Sequence, residues 1–232
     1  MSDVTPRVAA DRADRARCAY DHHMPRYARS EREALTDLMS TLGPDAPTLN
    51  EGWTIRDLAA HLVVRERRPD AAAGILIGPL RDRAERVRLE IAAQDWADLL
   101  GQVRRPPVWS PVSNPLTDEP ANLMEFFIHH EDVRRAQPEW QPRVLPTGLD
   151  QALWRRVSTL ARMTLRRFPA RVTVRAPGHG EVTAGRGEEA LGLIGAPSEL
   201  VLFLSGRQRA ARVQVEGGSE SAERLRDANL GF

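Results

Sequence analysis

Through the first 136 residues the apolar positions recur three and four apart, the period of an amphipathic helix. Tyr27, Ala34, Leu35, Leu38 and Leu42 predict a helix over about 25–42. Pro25 suits its first turn, and Gly43-Pro44 ends it. Thr54, with Asp57 three residues on, reads as an N-cap with an aspartate version of the capping box. That second helix runs through Ile55, Leu58, Ala59, His61 and Leu62 toward Pro69. A third helical region covers about 70–104, interrupted near 74–79 and again near Asp95. A proline-rich loop over 105–117 precedes a fourth helix at about 119–136. Four helices joined in this way predict an up-down four-helix bundle.

The pattern changes at "QPEWQPRVLPTG", which reads as a linker. A helix over about 149–168 follows, with Leu153, Val157, Leu160, Ala161 and Leu165 as its apolar stripe. Beyond it, "ARVTVRA", "EVTAGRG" and "EALGLIG" alternate as strands between Gly and Pro turns. "APSELVLFLSGR" predicts a short buried helix, "ARVQVEG" a last strand and "SESAERLRDAN" a last helix. The expected fold class is therefore a multidomain α+β protein. Its parts are an N-terminal extension over 1–23, weakly ordered and with Met24 as an alternative start, a helical bundle over 24–140, and a small α+β domain over 145–232.

Composition narrows the chemistry. The chain has 232 residues, 41% hydrophobic and 28% charged, with a net charge of +1 and interleaved signs. Nothing in this balance calls for a nucleic-acid or membrane partner. All 33 basic residues are arginine, so Schiff-base chemistry and a P-loop ATPase, both of which need a lysine amine, are excluded. Cys18 is the one cysteine, which rules out an internal disulfide and fits a reducing cytoplasm. No run reads as a signal peptide or a membrane span.

The fourth helix carries "EFFIHHEDVRRA". By helical geometry Glu125, His129 and Asp132 share one stripe, while Phe126, His130 and Val133 lie off it. A carboxylate and an imidazole that project together from an apolar helix need compensation, which a divalent metal supplies. Of six histidines, His22 and His23 lie in the extension and His179 in a Gly-rich turn, which leaves His61 as third donor. His61, Glu125 and His129 offer two nitrogens and one oxygen, a set suited to Zn²⁺ with an open fourth position. The competing reading makes His61 a hydrogen-bonded core histidine and the Glu125–His129 pair part of a solvated face. From spacing alone the two stand level. Trp53 and Trp109 read as packing residues, His130 as a hydrogen-bonding bystander and Glu131 as a solvated charge.

"WTIRDLAAHL" together with "NLMEFFIHHEDVRRA" resembles the DinB-like superfamily, in its mycothiol-dependent maleylpyruvate isomerase branch. Within that branch the chain looks closest to a subfamily described only as metal-binding proteins. "LGLIGAPSELVLFLSGR" is similar to the sterol-carrier-like second domain of the same branch. The resemblance implies His61, Glu125 and His129 as metal ligands and Asp132 as the aspartate that orients a ligand imidazole. It also implies that Arg207, at the end of the Ser-Gly-Arg run, reaches toward the active cleft as a catalytic residue. The implied cofactors are a divalent metal, zinc by its ligand set, and mycothiol as cosubstrate.

Three functions follow as expectations. The first is a mycothiol-dependent S-transferase or isomerase whose partners are a small thiol and a small electrophile. The second is a non-catalytic metal-binding or sensor protein, and the third a carrier of an apolar ligand. A monomer and a homodimer are both compatible with the sequence.

Overall fold

In a computed structural model, described over residues 26–76 and 78–231, the chain is a mixed helical and β protein. The expected extension over 1–23 and the Pro25 helix start lie outside the described residues. Helix α1 spans Tyr27–Leu42 and ends on Gly43, whose φ of 83° turns the chain and whose N–H bonds back to the Met39 carbonyl. Helix α2 spans Ile55–Arg67. At its start the Asp57 carboxylate accepts from both the N–H and the hydroxyl of Thr54 at 2.9 Å, so the aspartate version of the capping box forms.

The third helical region resolves into α3 (Pro69–Leu76), a 3₁₀ turn (Gly78–Leu80), α4 (Arg81–Ala92) and α5 (Trp96–Arg104). Its breaks fall where the sequence places them. Asp95 caps α5 by accepting from the N–H of Ala97. Helix α6, Asp118–Arg135, packs along α1. One hydrophobic core fills this half, with Leu35, Met39, Leu58, Leu62, Leu99, Phe126 and Val133 at its centre.

Helix α7 (Thr147–Thr164) opens the second half, followed by β1 (Arg171–Ala176), β2 (Gly180–Gly185), β3 (Ala190–Ile194), α8 (Pro197–Leu204), β4 (Gln214–Glu216) and α9 (Ser219–Asp227). The sheet order is β2-β1-β3-β4, with β1 and β3 parallel and both outer pairs antiparallel. Val172, Val174 and Ala176 alternate inward on β1, as the period of two requires, and join Leu153, Val157, Leu193 and Phe203 in a second core. Ala28, Leu123 and Phe127 also belong to this second core, so α1 and α6 present apolar surface to both.

The segment between α6 and α7 is tied down, unlike a slack linker. Trp140 lies between the guanidinium groups of Arg135 and Arg212, 4.5 and 4.8 Å from its ring centre. Arg143 reaches back to Glu31 on α1 and to Glu131 on α6. Among the described residues no helix is long and apolar enough to cross a membrane.

Candidate metal centre

Helices α2 and α6 meet through polar side chains. Helix α6 projects Glu125 and His129 one turn apart on one face, and α2 brings His61 opposite them. His61 Nε2 and His129 Nε2 each lie 3.3 Å from Glu125 Oε1. The two imidazoles stand edge to face with ring centres 5.3 Å apart. The three donor atoms fall within 4.8 Å of one another, and among the described residues no other trio of His, Cys, Asp or Glu converges in this way. Donors 2.0–2.1 Å from a tetrahedral ion stand about 3.3–3.4 Å apart, so the two separations from Glu125 match two of the three edges of such a site.

Each donor is held from behind. His129 Nδ1 lies 2.9 Å from Asp132, which is fully buried. That contact leaves Nε2 free to face Glu125 and fixes the ring's orientation. Asp132 in turn is gripped by Arg207, with Nε to Oδ1 at 2.9 Å and an Nη to Oδ2 at 2.7 Å. Arg207 also bonds the Ser205 carbonyl and the Asn50 side chain. Asn50 comes from the loop between α1 and α2, which is anchored by the Leu49 N–H on the Asp132 carbonyl at 3.0 Å.

The electrostatics follow from this packing. Burial presses His61 toward its neutral form and lowers its pKa, which leaves a lone pair to donate. Burial opposes the charge on His129 as well, but the carboxylates of Asp132 and Glu125 outweigh it and push its pKa up to about 9. A cation entering the site must displace that proton. Burial disfavours the Glu125 carboxylate, yet the two imidazoles hold it well below the usual carboxylate range.

Two contributors gave no signal in the sequence. Arg65, one turn along α2 from His61, lies 3.4 Å from the second oxygen of Glu125. It is fixed there by the Asn122 side chain and the Ala121 carbonyl. Asn50 is the other, in a loop with no periodicity to read.

Glu131 is not the solvated charge its neighbours suggest. It is 1% exposed, and Arg134, Arg135 and Arg143 converge on its carboxylate. His130 bonds Glu31 across the α1–α6 interface at 2.8 Å, pointing away from the donor set. Trp109 is not a packing residue: it is 60% exposed on the proline-rich loop. Trp53 is half-buried and stands with its ring centre 5.5 Å from that of His61. His179 pairs with Asp150 on α7 at 3.0 Å, in the other half of the chain.

Three cavities touch this region. One of about 640 Å³ is lined by Arg207, Asn50, Glu51, Arg209 and Arg226 and is strongly polar. One of about 460 Å³ opens beside His61 and Trp53. A smaller one of about 290 Å³ is lined by Glu125, Met124 and Ile128 of α6 and by Met163 of α7.

No family model matches the chain, and no curated protein matches it. Among solved structures, its neighbours include the crystal structure of the mycothiol-dependent maleylpyruvate isomerase. That structure is 17% identical, with a TM-score of 0.49, covering 82% of this chain and 90% of that one. A point variant of the same isomerase matches over the same shares at 16% identity and a TM-score of 0.49.

Proposed function

We propose that this chain is a divalent-metal-dependent enzyme that uses a small thiol, mycothiol by its motif resemblance, to isomerise or add to a small electrophile. The observation that carries the reading is the convergence of His61, Glu125 and His129 at tetrahedral-edge spacing. In this reading the three are the metal ligands, Asp132 orients His129, and Arg207 serves the reaction from the C-terminal half. Two imidazoles and a carboxylate suit Zn²⁺, and three protein donors keep one position exchangeable, as catalytic sites do. In the same reading residues 24–140 form a DinB-like four-helix bundle and 145–232 a sterol-carrier-like domain, both by motif resemblance, and the lone Cys18 supports a cytoplasmic setting.

When bound, the metal supplies Lewis acidity that favours a thiolate over a thiol, the form that attacks. The chain's own groups do the rest. Asp132 keeps the His129 Nε2 lone pair directed at the centre. Arg65 occupies the second oxygen of Glu125, which leaves the first for the centre. In an isomerisation, sulfur adds to one carbon of a conjugated double bond and the π pair moves to the carbonyl oxygen. The former double bond turns as a single bond, and the returning pair expels the thiolate. In a transfer, the adduct takes up a proton and the C–S bond stays.

Metal analysis of the purified protein, followed by mycothiol consumption with maleylpyruvate and a panel of conjugated acceptors, tests this reading. Stoichiometric metal with thiol consumption or cis-trans conversion is expected. A His61→Ala variant that keeps stoichiometric metal would overturn the ligand assignment. Full metal with no turnover across the panel would favour a non-catalytic sensor.

A further inference from the structure

The cavity of about 460 Å³ beside His61 has a character the donor set does not explain. It shares His61 with that set, so a molecule inside it lies against the imidazole. Most of its exposed wall is apolar, with Trp53 and Val64 from the α2 side and Ala84 from α4, while Arg81, Glu85 and Arg88 of α4 supply the charged part. Trp53 is fixed as a wall: the Arg88 guanidinium lies 4.8 Å from its ring centre. Arg88 is itself clamped between Asp57 and Glu85, so its charge is already answered by two carboxylates. Asp57 thus performs two tasks, capping α2 and holding the Arg88–Trp53 stack in place.

We propose that this cavity seats the electrophile and selects a flat, conjugated, largely apolar acceptor. The proposal rests on the thiol-enzyme reading given above. Its volume is in the range of small-molecule sites, and such sites are mainly apolar with a few placed polar groups. The larger cavity at Arg207 has the opposite character, with Arg209, Arg226 and Glu51 among its lining. An apolar acceptor entering there would have to desolvate those charges without pairing them, which is costly. The two cavities therefore differ in polarity, one lying against His61 and the other against Arg207. Trp53 offers an aromatic face at the His61 end, where a conjugated acceptor gains from stacking.

The test uses the full-length, metal-loaded protein and cinnamamide, a flat conjugated acceptor of low thiol reactivity, titrated calorimetrically without thiol. Wild type is expected to bind it. Trp53→Leu, which removes the wall, and Val64→Phe, which fills the space, are each expected to weaken binding at least tenfold with metal content unchanged. Arg226→Ala, in the wall of the larger cavity, is expected to change cinnamamide affinity less than twofold. Nuclear Overhauser contacts between cinnamamide and the Trp53 indole are expected in wild type, a readout that needs no substitution. Absence of binding, or equal binding in both variants and no contact to Trp53, overturns the proposal. Thiol consumption measured on the same preparations separates the two readings. Consumption without cinnamamide binding overturns the cavity assignment alone. Binding that the variants abolish, with neither thiol consumption nor cis-trans conversion by wild type, keeps the cavity as an apolar-ligand site and overturns the enzyme reading.

Discussion

Arg207 and Asp132, 75 residues apart, form a two-point contact directly behind His129. Asp132 is fully buried on α6, and Arg207 leaves the turn after α8, so the second half of the chain braces a histidine of the first. Arg207→Ala should leave Asp132 without its cation and loosen the His129 ring. Loss of such an outer partner costs about 10–100-fold in metal affinity. Competition with a chromophoric chelator measures it. Arg207→Lys should recover little, because a point charge cannot reproduce the fork.

The doubled histidine offers a clean comparison. His129→Ala should abolish stoichiometric metal binding. His130→Ala should keep the metal, since its ring bonds Glu31 and not the donor set. It should instead cost about 1.5–3 kcal/mol of stability, the range for a hydrogen bond to a charged group, with Arg143 still pairing the Glu31 carboxylate. Metal content and denaturant unfolding, measured on both variants, separate the two outcomes.

Arg135 and Glu199 form a bidentate pair at 2.8 and 2.7 Å, both buried, between α6 and α8. Glu199 also accepts from the Arg212 backbone. Glu199→Ala removes one of the two carboxylates on Arg135, with Glu131 remaining, and should destabilise the fold by about 1–3 kcal/mol. Replacing both partners by apolar residues of similar volume should cost much less. A double-mutant cycle in urea reads the coupling.

Acid should unfold the protein through its buried carboxylates. Burial works against the Glu31 charge, but His130 and Arg143 outweigh it and hold its pKa below the ordinary value. Asp57 is likewise lowered, with the Thr54 amide and Arg88 outweighing its partial burial. A carboxyl group depressed in the folded state stabilises it above the unfolded pKa, roughly 4 for these groups, and loses that contribution as pH falls through the folded value. Buried neutral His61 acts in the same direction below about 6.5, where the unfolded imidazole takes up a proton, so melting temperature should begin to fall below about pH 6.5 and fall more steeply below about 5. Glu31→Gln should lower the neutral-pH plateau and flatten the acid limb.

Removing the metal should lower stability by mass action. At a free metal concentration of a thousand times Kd, the bound ion contributes about 4 kcal/mol. Excess chelator should therefore depress the melting temperature, and added Zn²⁺ should restore it in a concentration-dependent way. A His61→Ala variant should show no such dependence.

What the sequence determined by itself was local. Helix spans, the Thr54–Asp57 cap, the Gly43 stop and the alternation on β1 all follow from contacts within a few residues, where side-chain type and spacing settle the conformation. The Glu125–His129 pairing was legible for the same reason, since a four-residue step fixes a shared face. His61 was reachable only because few histidines remained to choose from.

Tertiary structure decided everything that spans the chain. Glu131 read as solvated because its neighbours are charged. It is buried because Arg143, from the connecting segment, and Arg134 and Arg135 meet on it. Arg65 carried no signal in the sequence, and α6 places Glu125 beside it. Trp53 and Trp109 had the same packing expectation, yet one walls a cavity and the other faces solvent. Sequence periodicity records which way a side chain leaves its own helix. What waits there can be set far along the chain, 64 residues away for His61 and Glu125 and 112 for Glu31 and Arg143, and pairs of that separation leave no repeat in the sequence to read.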